Sequence, residues 1–372
     1  MKRSFLLSAI AMLLFTAASA QQGPIDAQAT PETKALYKNL KTLSKKHTLF
    51  GHQHATEYGH GWFGDENRSD VKSVIGSHPA VIGVDFSGLS GLPEAEIEKN
   101  KAALKKNIVD TYNRGGVTTV AWHFSNPVAK GGFYWVDSLS LPAVKYIIPG
   151  GKAHEQYKKI LDNVAGLVKD LKGKDGKQVP IIFRPYHEFD GEWFWWGKPH
   201  CTTEEFKTLW RFTVSYLKDS ANVHNILYAF SPDNKFNTEA EFLERYPGDE
   251  WVDMVGMDNY GDMGRDNRYN LEAAVQKLTI VSDHAKKTGK LAAFTETGLE
   301  SIPNTNWWND VLLKVMKRNN MELSYVLVWR NDTKSPTHYY APYPGHPSVP
   351  DFMKFYKDPY TLFEKDLKNI YK

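Results

Sequence analysis

The sequence predicts a single (β/α)8 barrel, a TIM barrel of the α/β class. Short apolar segments rich in β-branched residues alternate eight times with helical patterns over about 330 residues. The segments are apolar throughout, as expected for strands of a parallel sheet that is buried on both faces. Each segment also ends in polar or aromatic residues, and the functional sites of such barrels lie at that end of the strands.

The strands are predicted from apolar runs bounded by turn residues. They are Thr48–Gln53, Ala80–Phe86, Val117–Phe124, Val179–His187, Asn225–Phe230, Asp253–Tyr260, Lys290–Thr297 and Leu323–Arg330. A first helix is predicted from Thr30, its N-cap, through Pro31 to about Lys46. The other helices are predicted at 67–76, 94–114, 153–173, 203–219, 239–246, 270–288 and 306–319, with a last one near 359–370.

Residues 1–20 are predicted to be a signal peptide. Met1-Lys2-Arg3 is basic, residues 5–15 are mostly apolar, and Ala18-Ser19-Ala20 has the Ala-x-Ala form of a cleavage site. We therefore expect an exported protein, periplasmic or secreted, that is processed near Ala20. Since no repeat or linker interrupts residues 21–372, this part is predicted to be one (β/α)8 domain.

The charge of the chain indicates a neutral partner. Removing residues 1–20 takes away Lys2 and Arg3 and no acid, which lowers the formal charge from +3 to +1. A nearly neutral protein has no electrostatic reason to bind nucleic acid or an anionic membrane. No later stretch approaches the ~20 apolar residues of a membrane span. We expect a monomer.

Two glutamates end predicted strands and suggest a reaction. Glu188 ends the fourth strand and precedes the aromatic run Trp193-Phe194-Trp195-Trp196, which would make a flat apolar surface suited to sugar rings; Glu296 ends the seventh strand. Glycoside hydrolysis uses two carboxylates, with a separation of ~5–5.5 Å for retention of configuration and ~6.5–9.5 Å for inversion. The alternative is that Glu188 forms a structural ion pair and that the aromatic residues fill the core.

Other strand ends supply candidates for substrate binding. Tyr260 could donate a hydrogen bond to Glu296, and Trp329 could stack under a sugar. His123 and His187 are candidates for binding hydroxyl groups or, equally, structural histidines. Arg330 could bind sugar hydroxyls or pair with a carboxylate. Two long loops, 127–151 with Trp135 and 331–350, could form walls of a cleft or only cover the barrel.

These motifs together resemble glycoside hydrolase family 26, a family of (β/α)8 hydrolases with catalytic glutamates on the fourth and seventh strands. The resemblance rests on four motifs, which follow the family's order over most of the chain: Trp122-His123-Phe124-Ser125-Asn126-Pro127, Arg184-Pro185-Tyr186-His187-Glu188 with Trp193-Phe194-Trp195-Trp196-Gly197, Phe294-Thr295-Glu296-Thr297-Gly298, and Val328-Trp329-Arg330-Asn331.

The resemblance implies a retaining hydrolase without a cofactor, with Glu188 as acid/base and Glu296 as nucleophile. It implies that His187, Trp193 and Tyr260 support the reacting sugar. It assigns His123, Trp329 and Arg330 to the glycone side of the cleft. Asn331, from the last motif, and Trp135, from the loop 127–151, are further candidates for substrate binding. Most family members cleave β-1,4-mannan, so the expected substrate is mannan, galactomannan or manno-oligosaccharides. A minority act on mixed-linkage β-glucan or β-1,3-xylan, which remain alternatives.

Two further classes of protein would use some of the same residues. His52 and His54 end the first strand at i and i+2, so they face one way and could share a metal in a barrel metallohydrolase. The later strands, however, lack the ligands that such a site needs. A sugar-binding protein without activity would need the aromatic residues but not two opposed carboxylates. The sequence leaves endo or exo attack and the tolerance of galactose branches open.

Overall fold

A computed structural model describes residues 22–129 and 131–372, so the predicted signal peptide, residues 1–20, lies outside the described residues. Within the described residues, eight parallel strands close into a barrel. They are β1 (Thr48–Gln53), β4 (Val81–Asp85), β5 (Val117–Ala121), β6 (Ile181–Arg184), β7 (Ile226–Phe230), β8 (Met254–Asp258), β9 (Leu291–Thr297) and β10 (Tyr325–Val328). Each pairs with its neighbour along the chain, and β1 closes the ring on β10, which confirms the predicted fold.

Three short strands lie outside the ring in the described part of the chain. β2 (Tyr58–Gly59) and β3 (Trp62–Phe63) form an antiparallel hairpin directly after β1. β11 (Thr361–Leu362) pairs in parallel with the start of β1. The hairpin therefore stands at the end of the barrel where the strands finish, and β11 at the end where they begin.

The helices surround the barrel and agree with most of the predictions. They are α1 (Pro31–Leu43), α2 (Asp70–Ile75), α3 (Glu94–Arg114), α4 (Val144–Ile147), α5 (His154–Lys169), α6 (Thr203–Ser215), α7 (Glu239–Phe242), α8 (Leu271–Thr288), α9 (Lys314–Met316) and α10 (Val349–Lys357). π-helical turns at Tyr216–Ser220 and Trp308–Leu313 continue α6 and precede α9. None of the helices in the described ranges is both long and apolar enough to cross a membrane.

The helix predicted near 359–370 is wrong. Those residues form β11 and a short 3-10 turn at Glu364–Asp366, while the last helix, α10, lies earlier in the chain. Pro350 stands in the first turn of α10, where a missing N–H costs no hydrogen bond, and Pro359 follows the C-cap. Phe352 and Phe355 of α10 pack with their ring edges against Phe50 of β1.

Two groups of buried apolar residues hold the barrel together in the described part of the chain. The larger group lies between the strands and the helices and includes Phe50, Phe183 and Trp210. The smaller includes Leu227, Met254 and Leu327 of the strands, together with residues of α1. Apolar side chains occupy both of these regions. The polar side chains therefore lie mainly where the strands end and the loops begin.

Several strands end earlier than predicted, and the residues released form the loops of the site. The fourth barrel strand, β6, ends at Arg184 rather than His187, and β10 ends at Val328 rather than Arg330. Pro185 has no N–H to extend the ladder. Tyr186 and Glu188 then have φ angles of 51° and 53°, which turn the chain sharply over the end of the barrel.

Candidate active site

A cavity of about 280 Å³ opens at the C-terminal ends of the strands and contains both glutamates. Its lining comes from β9 and from the loops after β5, β6, β7, β8 and β10. The lining residues are His123, Tyr134, His187, Glu188, Trp193, Phe194, Asp233, Tyr260, Arg265, Glu296, Trp329, His338 and Tyr340. The structure thus brings seven of the ten predicted site residues into one pocket.

Glu296 is held by two donors, one on each carboxylate oxygen. The Tyr260 hydroxyl donates to Oε2 at 3.0 Å, and Nη2 of Arg184 donates to Oε1. Nη1 of Arg184 donates to Asp258 at 2.7 Å and to the Ser231 hydroxyl at 3.0 Å. All these side chains are buried. Two donors from different strands therefore fix the orientation of the Glu296 carboxylate.

Glu188 has a different environment. Nε1 of Trp193 donates to its Oε2 at 2.7 Å, and the residue is partly exposed to the pocket. Burial of the carboxyl raises the pKa of Glu188 well above its usual range, and the charges of Asp233, Asp258 and Glu296 raise it further. The Trp193 hydrogen bond opposes this shift without cancelling it. Glu188 is thus suited to carry a proton at neutral pH.

Asp233 is fixed beside Glu188 by the backbone. The Glu188 N–H donates to the carbonyl of Ser231 at 2.9 Å, and the Asp233 N–H donates to Asp190 Oδ1 at 2.6 Å. Two hydrogen bonds therefore join the loops after β6 and β7. Burial, and then the charge of Asp190, raise the pKa of Asp233 to about 7.

Two histidines form a wall of the pocket. Nδ1 and the backbone N–H of His123 both contact the Asp85 carboxylate, which fixes the orientation of this ring. The ring of His187 stands edge-on to His123, with 4.7 Å between centroids. Burial lowers the pKa of His187 well below its usual range, and Arg184 and His123 lower it further. The His187 imidazole is therefore neutral at pH 7 and can exchange hydrogen bonds with hydroxyl groups.

The aromatic run does not form the flat surface that the sequence suggested. Trp195 and Trp196 are fully buried, and they donate to the backbone carbonyls of Phe124 and His187 at 2.6 and 2.8 Å. Trp193 and Phe194 reach the pocket instead. The prediction of a four-residue platform was therefore wrong, since the run divides between the core and the site.

Three predicted binding residues lie beside the residues described as lining the pocket. The Trp135 ring stacks on His200 with 3.6 Å between centroids. Arg330 pairs with Asp332 at 2.5 Å. Asn331 is buried, donates to Asp70 and to the Ala341 carbonyl, and accepts two backbone N–H groups, so its amide has no capacity left for a sugar. The pocket lining does not include these three residues, so their contact with substrate stays a prediction.

The sequence interpretation missed other residues of the site. Arg184 stands in a quoted motif, and Asp233 and Asp258 stand at strand ends, so a search for partners of the two glutamates could have found them. Arg265 comes from the 3-10 turn Arg265–Asn267, and His338 and Tyr340 come from the irregular loop after β10. The length of the loop 331–350 indicated a possible wall of a cleft, but no local pattern distinguishes His338 or Tyr340 within it or indicates that Arg265 reaches the pocket.

The geometry does not favour a metal centre. Among the described residues, one group meets the spacing for three ligands, with donor atoms of His187, Asp258 and Glu296 within 4.8 Å of one another. Arg184 already pairs with both carboxylates, so the group is an ion-pair network. His52 and His54 are not part of this group, and Nδ1 of His54 contacts Glu57 instead. The metallohydrolase alternative therefore has no support.

A (β/α)8 barrel with paired glutamates after its fourth strand and near the end of its seventh, one of them suited to hold a proton, has the features expected of a glycoside hydrolase. The model of glycosyl hydrolase family 26 matches residues 25–336. The chain therefore belongs to glycosyl hydrolase family 26.

Several family members of known function or structure are similar to this chain. A mannan endo-1,4-β-mannosidase of Bifidobacterium adolescentis is 34% identical over 350 residues, which cover 89% of this chain and 34% of that protein. The chain thus spans about a third of the length of this relative. The structure of GH26C from Muricauda sp. has 38% identity and a TM-score of 0.88, covering 94% of this chain and 96% of the other. A GH26 β-mannanase of Bacteroides ovatus has 42% identity and a TM-score of 0.84, covering 92% and 98%.

Proposed function

We propose that this protein is a retaining endo-β-1,4-mannanase that hydrolyses mannan, galactomannan or manno-oligosaccharides. The observation that carries the proposal is the contrast between two carboxyl groups in one pocket. Glu296 is fixed as an ion partner of Arg184 and bonded by Tyr260, while the raised pKa of Glu188 suits a proton donor. Pairs of carboxyls with such unlike environments divide the nucleophile and acid roles in glycosidases. The mannan specificity is supported by similarity to proteins named mannan endo-1,4-β-mannosidase.

The reaction has two steps. In the first, a carboxylate oxygen of Glu296 attacks the anomeric carbon, and the Glu188 proton moves to the glycosidic oxygen, which leaves as an alcohol. In the second, the Glu188 carboxylate removes a proton from water, whose oxygen attacks the same carbon and releases Glu296. The fall in negative charge on Glu296 between the steps favours loss of the Glu188 proton when a base is required.

Other side chains of the pocket orient Glu188 and bind the sugar. Trp193 keeps Glu188 oriented, and neutral His187 with the Asp85-oriented His123 is suited to bind hydroxyl groups of the reacting sugar. Trp329, in the lining, provides an apolar face for a sugar ring. These roles require no group beyond the chain and its substrate.

The test is product analysis over time. The purified protein is incubated with linear mannan, galactomannan, mixed-linkage glucan and β-1,3-xylan, and early products are separated by size. A range of manno-oligosaccharides from the first minutes is expected. Mannobiose alone would indicate attack at chain ends, and products from glucan or xylan alone would replace mannan as substrate. Glu296→Ala should release nothing, and normal hydrolysis by that variant would refute the assignment of the nucleophile.

We also propose that the protein acts outside the cytoplasm, in the periplasm or the medium. The basic start, the apolar segment and the Ala18-Ser19-Ala20 site support this proposal. A polymeric substrate too large to enter a cell agrees with export. Mass spectrometry of protein recovered from the periplasm or medium should give Gln21 as the first residue, and an intact Met1 terminus would contradict export with cleavage.

A further inference from the structure

The hairpin of β2 and β3 is fixed to the end of β10 through one buried carboxylate. Asp70 accepts hydrogen bonds from the His60 N–H, from Nε1 of Trp62 and from the Asn331 amide, each at 2.7 Å. The His60 ring also stacks on Tyr343 of the loop after β10, with 3.8 Å between centroids. The hairpin is therefore a rigid part of the rim of the barrel.

Three aromatic rings run outward along this hairpin, and we name His54, Tyr58 and Phe63 the hairpin ladder. The His54 and Tyr58 rings stack with 5.1 Å between centroids, and Tyr58 and Phe63 lie 6.3 Å apart and only 4° from parallel. Tyr58 is half-buried, whereas Phe63 is 73% exposed. Single exposed apolar side chains are common on protein surfaces. A stack of three rings that ends in an exposed phenyl ring, however, provides a flat apolar surface on which a ligand can pack.

The ladder begins where the lining of the catalytic pocket ends. Trp329 lines the pocket, and its neighbour Arg330 lies close enough to Tyr58 for the two side chains to interact electrostatically. His54 lies close enough to Asp85, the partner of His123, for the two side chains to interact electrostatically. A strip of aromatic and polar groups thus leads from the pocket over the end of β1 to the hairpin.

The chemistry of the strip suits a neutral glycan. Arg330 and Glu57 are already paired, with Asp332 and His54 respectively, so the strip offers no free charge for an ionic ligand. Flat rings present faces that pack against the C–H groups of a pyranose, while the Arg330 head and the Tyr58 hydroxyl can bond to its hydroxyl groups. A polysaccharide held in the pocket must continue along the rim in one direction or the other.

We propose that the hairpin ladder is a further sugar-binding subsite, which stacks a mannosyl unit of the same chain beyond those held in the pocket, on the side of Trp329. The proposal rests on the proposed function, since it takes the substrate to be a β-mannan. It makes affinity depend on chain length. Substrates too short to reach Phe63 gain nothing from the ladder, whereas longer ones gain the stacking contact.

The test compares chain lengths in Phe63 variants. kcat/KM is measured for the shortest manno-oligosaccharide that the enzyme cleaves and for mannohexaose. Phe63→Ala should lower kcat/KM for mannohexaose about tenfold, the effect of losing one good apolar contact, and leave the short substrate unchanged. Phe63→Leu, which keeps an apolar side chain without a flat ring, should behave like Phe63→Ala, and Phe63→Trp should retain wild-type values.

Each other outcome has a definite meaning. An equal loss on short and long substrates would overturn the proposal, because the effect would then come from the pocket, and so would unchanged hydrolysis of mannohexaose. Wild-type protein that cleaves no manno-oligosaccharide would contradict the proposed function itself. Because Phe63 is exposed, all three variants should fold, and equal unfolding temperatures provide the control.

Discussion

Replacement of Tyr260 by Phe removes one oxygen atom from the support of Glu296. The hydroxyl donates to the carboxylate at 3.0 Å in a buried environment. The ring should stay in place, since Tyr340 packs against it with 5.9 Å between centroids and the Arg265 guanidinium lies 4.6 Å above it. A hydrogen bond to a charged group contributes about 1.5–3 kcal/mol. Glu296 regains its negative charge as it leaves in the second step, so if the hydrogen bond acts in that transition state, kcat should fall about tenfold to 100-fold.

The assay is steady-state hydrolysis of mannohexaose at several pH values, with kcat and KM resolved. Tyr37→Phe is the matched control, because its buried hydroxyl donates to the carbonyl of Gly289 at 2.7 Å, away from the pocket. This control should lose stability but keep wild-type kcat. The reasoning is refuted if Tyr260→Phe keeps kcat within about twofold of wild type, or if only KM changes.

Two further predictions concern the charges around the glutamates. Asp233→Asn removes a negative charge that raises the pKa of Glu188, so Glu188 should lose its proton more easily and the basic limb of the kcat/KM profile should move to lower pH. Arg184→Met leaves Asp258 and Glu296 buried without their cation, so the free energy of unfolding measured in urea should fall by about 3–5 kcal/mol.

The controls separate charge effects from general damage. Glu192→Gln removes an exposed carboxylate from the same loop as Glu188, and its pH profile should match wild type. A basic limb that stays in place or moves upward in Asp233→Asn would contradict the electrostatic account. For Arg184→Met, an unchanged urea midpoint and slope would show that the ion-pair network does not contribute to stability.

The barrel and its two glutamates could be predicted because they depend on local pattern. Apolar runs such as residues 181–183 are typical of buried strands. In a (β/α)8 barrel the C-terminal ends of all strands lie at the same end of the molecule, so carboxylates at those ends collect there. The orientation of Trp195 and Trp196 could not be predicted in the same way. Whether an aromatic residue in a loop faces the core or the pocket depends on distant neighbours, here the carbonyls of Phe124 and His187.

The residues that long loops contribute to the pocket could not be predicted for the same reason. Arg265 and His338 reach the pocket from segments whose path is set by packing rather than by periodicity. Asn331 stands in a motif beside Trp329 and Arg330, so its sequence position suggested the pocket. In the structure the Asn331 amide instead forms hydrogen bonds with Asp70 and with the loop backbone, so it stabilises the rim of the barrel.

The backbone at Tyr186 and Glu188 has a consequence for how this chain can change over time. Left-handed φ angles in residues other than glycine cost about 1–2 kcal/mol each. Glu188, the proposed proton donor, therefore stands on a strained segment of the backbone. Selection for thermal stability alone would favour glycine or asparagine at position 188. Either residue would remove the carboxyl group that the proposed reaction needs. A directed-evolution search for more stable variants must therefore screen for catalytic turnover as well as for thermal stability.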